Sequence, residues 1–347
     1  MQRKIQDTDI SDLLTSLGDY DCIIDVRSPS EFLDDHIPGA INLPVLSDAE
    51  HSEVGTIYKQ IDPFTARKHG AILTSRNIAS HLEGLSNHPK NWRPLLYCWR
   101  GGQRSGSMAL IMREIGWQVT LLRGGYKSYR RHVQESLNSM SPNVQLIVLA
   151  GPTGCGKTDL LQRLSERGHQ IIDLEALASH RGSLLGQEPG VPQPSQKLFE
   201  SHLCGALSDL DLDRPIFVES ESSKIGEIHL PKALFQNLIT SQVIALSCDR
   251  TKRAQYLVEK YWHLTVSSEK TLDLIRRLEF RHSKNQIAHW VELIEDRRWT
   301  ELAHSLLEIH YDPAYERSQK RFAESVSYQL EQPGLTESMA MFDDLAG

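Results

Sequence analysis

The stretch that most constrains this chain is Gly151-Pro152-Thr153-Gly154-Cys155-Gly156-Lys157-Thr158. It is entered from the apolar run Val144-Gln145-Leu146-Ile147-Val148-Leu149-Ala150 and left through Asp159 to Arg167, which reads as a helix. The spacing G-x-x-x-x-G-K-[ST] between a strand and a helix curls backbone N–H groups around a phosphate at a helix N-terminus. Lys157 adds a point charge, and the Thr158 hydroxyl is placed to bind magnesium. Cys155 stands at a variable position and reads as structural filler.

The segments after this loop fit the same architecture. Gln170-Ile171-Ile172-Asp173 reads as a strand that delivers Asp173 beside the phosphate site. His180-Arg181-Gly182-Ser183 follows, then a long loop from Leu184 to Gln196. Pro215-Ile216-Phe217-Val218-Glu219-Ser220-Glu221 is an apolar strand ending in acids, where a P-loop protein places its metal-side carboxylate. The usual Asp is replaced by Glu219 or Glu221, which puts ordinary nucleotide hydrolysis in question. Val243-Ile244-Ala245-Leu246 is a further strand, and Arg250 to about Gln329 reads as mostly helical. Its basic residues Arg276, Arg277, Arg281 and Lys284 have acids nearby and read as a helix face.

A second organised loop lies in the first half. Cys98-Trp99-Arg100-Gly101-Gly102-Gln103-Arg104-Ser105 follows the apolar Leu95-Leu96-Tyr97 and precedes the helix-like Met108-Ala109-Leu110-Ile111-Met112. Two glycines let the backbone curl, and N–H groups at a helix start attract negative charge. With Arg100 and Arg104 beside it, Cys98 has the surroundings of a low-pKa nucleophile that can carry an anion on its sulfur. Charge agrees: residues 93–131 hold eight Lys or Arg against one acid, Glu114, in a chain of net charge −7. Such a local field can steer a polyanion. The five cysteines (22, 98, 155, 204, 248) form no C-x-x-C pair, which speaks against structural zinc and a disulfide framework. No apolar run approaches the roughly 18 residues of a membrane span, and Met1 to Asp7 lacks a signal-peptide core; a cytoplasmic location is expected.

Before the cysteine, Asp9 to Leu17 reads as a short helix and Cys22 to Arg27 as a strand ending in a charged pair. Ser30 is a candidate helix cap, and His36 is expected to serve a turn. Asp48 to about Leu85 is a helix-rich insertion after Pro44. Asn138 to Asn143, polar with a proline, reads as a linker. Alternating strands and helices imply parallel α/β sheets, whose reactive loops lie at the carboxyl ends of strands.

Asp25-Val26-Arg27 with Glu31-Phe32, His36-Ile37-Pro38-Gly39-Ala40 with Asn42 and Pro44, Cys98-x-x-Gly101-x-x-Arg104-Ser105 and Gly124-Gly125 together resemble the rhodanese family over roughly residues 10–135. The resemblance implies a loop of Trp99, Arg100, Gly101, Gly102, Gln103 and Ser105 around a Cys98 that carries a chalcogen. A rhodanese domain joined to a P-loop domain, with Val54-Gly55-Thr56-Ile57-Tyr58-Lys59-Gln60, Leu122 to Lys127, His180 to Ser183 and Gln193 to Lys197, resembles the tRNA 2-selenouridine synthase family. The expected organisation is a rhodanese-like domain at 1–138 with a helical insertion about 46–90, a linker at 139–143, a P-loop NTPase-like α/β domain with a helical C-terminal part at 144–330, and an acidic, disordered tail at 331–347.

That resemblance implies a transferase acting on the wobble 2-thiouridine of tRNAs for lysine, glutamate and glutamine. Geranyl diphosphate alkylates the sulfur, and selenium from selenophosphate then replaces geranyl thiol. It implies that Gly151 to Thr158 and Arg181 hold the diphosphate and that Cys98, aided by Arg100 and Arg104, carries selenium. By analogy with P-loop tRNA prenyltransferases, Asp173 would meet the acceptor base; Glu219, Glu221 and Thr158 are candidates for magnesium. Two alternatives stay open: an ATP-dependent tRNA sulfurtransferase or kinase, and a non-catalytic tRNA-binding protein.

Overall fold

The computed structural model of the chain describes residues 5–100, 102–181, 186, 190–319, 325–334 and 342–343. Gly101, Gly182 and Ser183, singled out above, lie outside the described residues. The chain divides into two compact units, Met1–Ser136 with Pro194–Gly205, and Leu137–Gln193 with Ala206–Gly347. The expected boundary near 138 is close to this division, but residues 194–205 group with the first unit. No helix among the described residues is long and apolar enough to cross a membrane.

The first unit holds strands β1 (Gln6–Thr8), β2 (Cys22–Asp25), β3 (Ile41–Asn42), β4 (Pro94–Tyr97) and β5 (Thr120–Leu122), all parallel, in the order β1-β5-β4-β2-β3. Helices α1 (Ile10–Thr15), α2 (Pro29–Asp34), α3 (Asp48–Gln60), α4 (Pro63–Leu85), α5 (Gln103–Ile115) and α6 (Gly125–Met140) connect or follow them. β4 is the middle strand and wholly buried, as an unbroken Leu-Leu-Tyr run requires when helices cover both faces.

α2 begins two residues earlier than a Ser30 cap allows. Ser28 is held extended ahead of Pro29 and its N–H donates to Glu31, so proline takes the first helical position and the cap moves to Ser28. The insertion is a helical hairpin capped by Ser47 and Asp62. It joins the core of the unit: Ile78 and Leu85 of α4 are buried with Ile24, Leu96, Met108 and Met112.

A buried ion pair anchors the end of β2. Arg27 and Asp25 are 1% and 0% exposed and meet at 2.6 Å. Arg27 also donates to the Asp35 carbonyl at 2.6 Å, and its guanidinium lies 3.9 Å from the Tyr126 ring centroid. The Asp35 carboxylate accepts from Tyr126 Oη and Ser201 Oγ at 2.8 and 2.7 Å.

The second unit holds β6 (Leu146–Ala150), β7 (Gln170–Ile172), β8 (Ile216–Glu219), an antiparallel pair β9 (Lys224–Ile225) and β10 (Ile228–His229), β11 (Gln242–Ser247) and β12 (Ser325–Gln329). The main sheet is parallel with order β12-β11-β6-β8-β7. Its helices are α7 (Lys157–Glu166), α8 (Leu174–Leu177), α9 (Gln196–Ser208, shared with the first unit), α10 (Lys232–Thr240), α11 (Arg250–Lys260), α12 (Trp262–Val266), α13 (Ser268–Arg276), α14 (Lys284–Glu295), α15 (Trp299–Leu306) and α16 (Asp312–Gln319). One π-helical turn, Leu307–Tyr311, joins α15 to α16. α13 to α15 close around Trp290, which is fully buried.

Two expectations for the C-terminal part are corrected. Residues 325–329 form a strand, paired in parallel with β11 from Val243↔Ser325 to Ser247↔Gln329. The stretch after residue 330 is not wholly a disordered tail. Leu330 and Phe342 are buried in the core with Leu160, Phe217 and Leu246, and Asp343 pairs with Arg167 and His169 at 2.5 and 2.7 Å. Its apolar residues supply the docking that its acidic composition masks.

Asp25→Asn leaves the Arg27 charge buried without its counterion, which costs on the order of 3–5 kcal/mol. A urea titration followed by tryptophan fluorescence should show a lower unfolding midpoint for the first unit; an unchanged midpoint would show that the pair carries little of its stability.

Candidate functional site

Two sites are built the same way, at turns from a buried parallel strand into a helix. In the first unit β4 ends at Tyr97 and Cys98 follows, 4% exposed. The start of α5 returns beneath it, so the Ser105 hydroxyl donates to Cys98 Sγ at 3.3 Å. Burial alone would raise this thiol's pKa. The Ser105 hydroxyl and the backbone N–H groups of Ser105, Gly102 and Arg100 outweigh it, and the pKa falls below the ordinary thiol value.

The loop is tied down from behind: Tyr126 N–H donates to the Cys98 carbonyl at 2.8 Å and Lys127 N–H to the Trp99 carbonyl at 3.0 Å. These donors begin α6, reached through Gly124 and Gly125 with φ of 76° and 58°, values that favour glycine. Trp99 is 43% exposed, with its ring 5.3 Å from that of Tyr126. Arg100, Gly102 and Gln103 are exposed.

The two arginines differ. Arg104 is bidentate to Glu31 at 2.5 and 3.2 Å, so its charge is matched by a carboxylate and it braces α5 against α2. Arg100 brings its N–H to the sulfur. Sequence reasoning gave both the same role; Glu31 was legible as part of Glu31-Phe32 but not as a partner.

In the second unit β6 leads into the P-loop. Gly154 and Gly156 have φ of 82° and 77°. A side chain at Gly156 would also strike the backbone of Gly334, whose N–H donates to the Cys155 carbonyl at 2.9 Å. Cys155 is fully buried, and burial raises its pKa. Lys157 Nζ donates to the Gly151 carbonyl at 3.1 Å. Its burial would lower the ammonium pKa, but Cys155, Glu219, Glu175 and Glu221 around it push it upward, so it stays charged.

An open cavity of about 980 Å³ spreads from this loop. Gly151, Thr153, Gly154, Gly156, Lys157 and Thr158 line it, with Asp173, Arg181, Glu219 and Glu221. Pro152 and Cys155 belong to the loop but do not line the cavity. Arg181 stacks on the Tyr261 ring, 4.7 Å from its centroid. Asp173 is engaged on both oxygens: Oδ1 accepts from Ala176 N–H at 2.8 Å and caps α8, and Oδ2 accepts from Gln162 at 3.0 Å.

The structure adds a residue that sequence reasoning passed over. Glu175, delivered by α8, brings its carboxylate together with those of Glu219 and Glu221, their oxygens within 4.8 Å of one another. Its signal was the second acid of Asp173-Leu174-Glu175 directly after a strand. Burial first, and then the neighbouring carboxylates, push Glu219 and Glu175 to about 8 and Glu221 to about 7. Glu219 Oε1 is buried without a hydrogen-bond partner among the described residues. A cluster of hard oxygens with one orphaned, next to the Thr158 hydroxyl, fits a divalent cation such as magnesium.

Residues 9–132 match the rhodanese-like domain family, and residues 144–298 match the family described as tRNA 2-selenouridine synthase AAA domain. The chain is similar to a tRNA 2-selenouridine synthase of Nitrosomonas europaea, 39% identical over 247 residues. That match spans 69% of this chain and 63% of the relative's length. It is 33% identical over 340 residues to a tRNA 2-selenouridine synthase of Alcanivorax borkumensis, spanning 88% of this chain and 92% of that one. The tRNA 2-selenouridine synthase of Sulfurovum sp. (strain NBC37-1) is 31% identical over 340 residues, 88% of this chain and 91% of its own.

Two measurements check the electrostatics. The pH profile of Cys98 alkylation should have its inflection below the free-thiol value of about 8.5, and Ser105→Ala should move it upward; equal inflections would remove Ser105 from the site. Separately, Glu219 binds its proton more tightly folded, near 8, than unfolded, near 4.5. Its contribution to stability is therefore present at low pH and lost as pH rises through that window. The melting temperature of the metal-free protein should fall between pH 5 and 8, less steeply in Glu219→Gln, and magnesium should reverse the fall.

Proposed function

The chain belongs to the tRNA 2-selenouridine synthase family, and from that membership we propose that it converts wobble 2-thiouridine to 2-selenouridine in tRNAs for lysine, glutamate and glutamine. The observation that carries the proposal is a low-pKa thiol in a loop of backbone N–H groups, in one chain with a P-loop.

The P-loop site acts first. Its N–H groups, Lys157 and Arg181 hold the diphosphate of geranyl diphosphate and stabilise the charge that develops as it departs. The thiouridine sulfur attacks the allylic carbon, the carbon–oxygen bond breaks, and the base gives up its N3 proton. A carboxylate in the cavity receives that proton; Asp173, which lines the cavity, is the candidate by analogy with P-loop tRNA prenyltransferases. Glu175, Glu219, Glu221 and Thr158 would hold a magnesium ion, which supplies positive charge for the leaving group. Alkylation converts a poor leaving group into a thiol that can depart.

Cys98 acts second. Its thiolate attacks the phosphorus of selenophosphate: the S–P bond forms, the Se–P bond breaks, and hydrogen selenide is released beside the N–H groups of Arg100, Gly102 and Ser105, which favour the anion. The selenide attacks carbon 2 of the base, its proton moves to N3, the carbon–sulfur bond breaks, and geranyl thiolate leaves and takes a proton from solvent; water then cleaves the S–P bond, which restores Cys98 and yields phosphate. Arg104, paired with Glu31, positions α5 rather than contacting the sulfur. A second reading, ATP binding at the same loop, draws on the P-loop itself; Glu in place of the Asp usual at the end of β8 weighs against ordinary nucleotide hydrolysis.

The test is mass spectrometry of tRNA nucleosides after incubation with geranyl diphosphate and selenophosphate. Cys98→Ala should abolish 2-selenouridine while S-geranyl-2-thiouridine accumulates. Lys157→Ala should slow geranylation by about 10²–10³-fold, the usual weight of one electrostatic contact to a leaving anion. Geranylation that survives Lys157→Ala while nucleotide turnover is lost would assign the loop to ATP.

A further inference from the structure

The phosphate cavity shares a wall with a second cavity of opposite character. Thr153 of the P-loop, Leu257 of α11, Tyr261 at its end and Tyr311 of the π turn line both. Beyond that wall the second cavity is bounded by Leu264, Ile275, Trp299, Leu302, Ala303 and Leu306. Two further threonines line it, but Thr265 donates to the Trp262 carbonyl at 2.7 Å and Thr271 to the Leu264 carbonyl at 2.8 Å. Their hydroxyls are engaged by backbone, so the lining offers carbon to an occupant and little else. Such a wall holds water poorly and an apolar group well.

The junction has its own geometry. Arg181 rests on the Tyr261 ring on the phosphate side. The π turn at Leu307–Tyr311 inserts an extra residue between α15 and α16 and sets His310 and Tyr311 side by side at the cavity wall. Turns of this kind are a frequent means of aiming side chains at ligand sites. A ligand matched to the whole arrangement has a polyanionic head and a flexible hydrocarbon tail.

We propose that this apolar pocket receives the hydrocarbon chain of the prenyl diphosphate, and that Ala303 and Leu264 help set the chain length accepted. The proposal rests on the assignment of the P-loop to a prenyl diphosphate. The head sits on the loop, Tyr261 and Tyr311 flank the point where head becomes tail, and α13 and α15 border the tail along an open cavity of about 80 Å³, which holds part of a ten-carbon chain as it stands. Neither cavity alone selects the substrate: the loop would take any diphosphate, and the pocket any chain of suitable bulk.

Calorimetry of the full chain without tRNA tests this, because no acceptor is present to consume the ligand. The probes are inorganic pyrophosphate, dimethylallyl, geranyl and farnesyl diphosphates. Wild type should bind geranyl diphosphate more tightly than pyrophosphate by about tenfold or more, from buried chain alone. Ala303→Phe should remove most of that advantage while leaving pyrophosphate and dimethylallyl diphosphate within about twofold, since the change touches only the tail. Leu264→Ala should instead shift preference towards farnesyl diphosphate, and it decides the matter if Ala303→Phe does not fold. A wild type that prefers geranyl diphosphate, with variants that behave like it, would overturn the pocket alone. A wild type that does not distinguish geranyl diphosphate from pyrophosphate would overturn the assignment of the loop and the pocket with it.

Discussion

Backbone N–H groups that a helix leaves unpaired in its first turn govern both halves of this protein. In each unit a buried parallel strand ends, the chain curls, and a helix begins facing the gap. In one turn the free donors converge on Cys98 Sγ; in the other they surround the space of a phosphate. The remaining structure serves to hold those turns rigid: Tyr126 and Lys127 N–H groups behind the cysteine, and Gly334 behind the P-loop. A donor that must not move at the moment of reaction is worth more than one that reorganises, and main chain pinned on both sides moves least.

Much of this was legible from local pattern. A cysteine or a glycine turn between an apolar run and a helix reports its own geometry, because strand, turn and helix are neighbours in sequence. The same locality explains the gaps. Glu175 meets Glu219 and Glu221 only because β7 and β8 lie side by side, and pairing across that interval leaves no periodic trace. The partner of Arg104 is Glu31, 73 residues away in the chain and brought near because β2 and β4 lie side by side. Residues 325–329 alternate apolar and polar as a strand should, yet a long helical region ahead of them hid the change of period. The acidic residues after them concealed Phe342, which is buried in the core of the second unit.

The second unit keeps unlike environments close together. Around Lys157 three carboxylates are crowded tightly enough to favour protonation near neutral pH. On the other side of Thr153 and Tyr311 lies a lining of nearly pure hydrocarbon. The boundary is drawn by a few side chains that face both ways, Thr153, Leu257, Tyr261 and Tyr311.

The contact between Gly334 and Gly156 sets the order of assembly against the order of synthesis. Ribosomes deliver the P-loop early, when β11 has not yet been made and β12 is far from the peptidyl-transfer centre. The main chain that packs against Gly156 leaves the tunnel about 180 residues later. A nascent chain can thus complete its cysteine-bearing sheet while its phosphate site is still open on one side. The turn that first defines the second unit in the sequence is among the last parts of it to be finished in space.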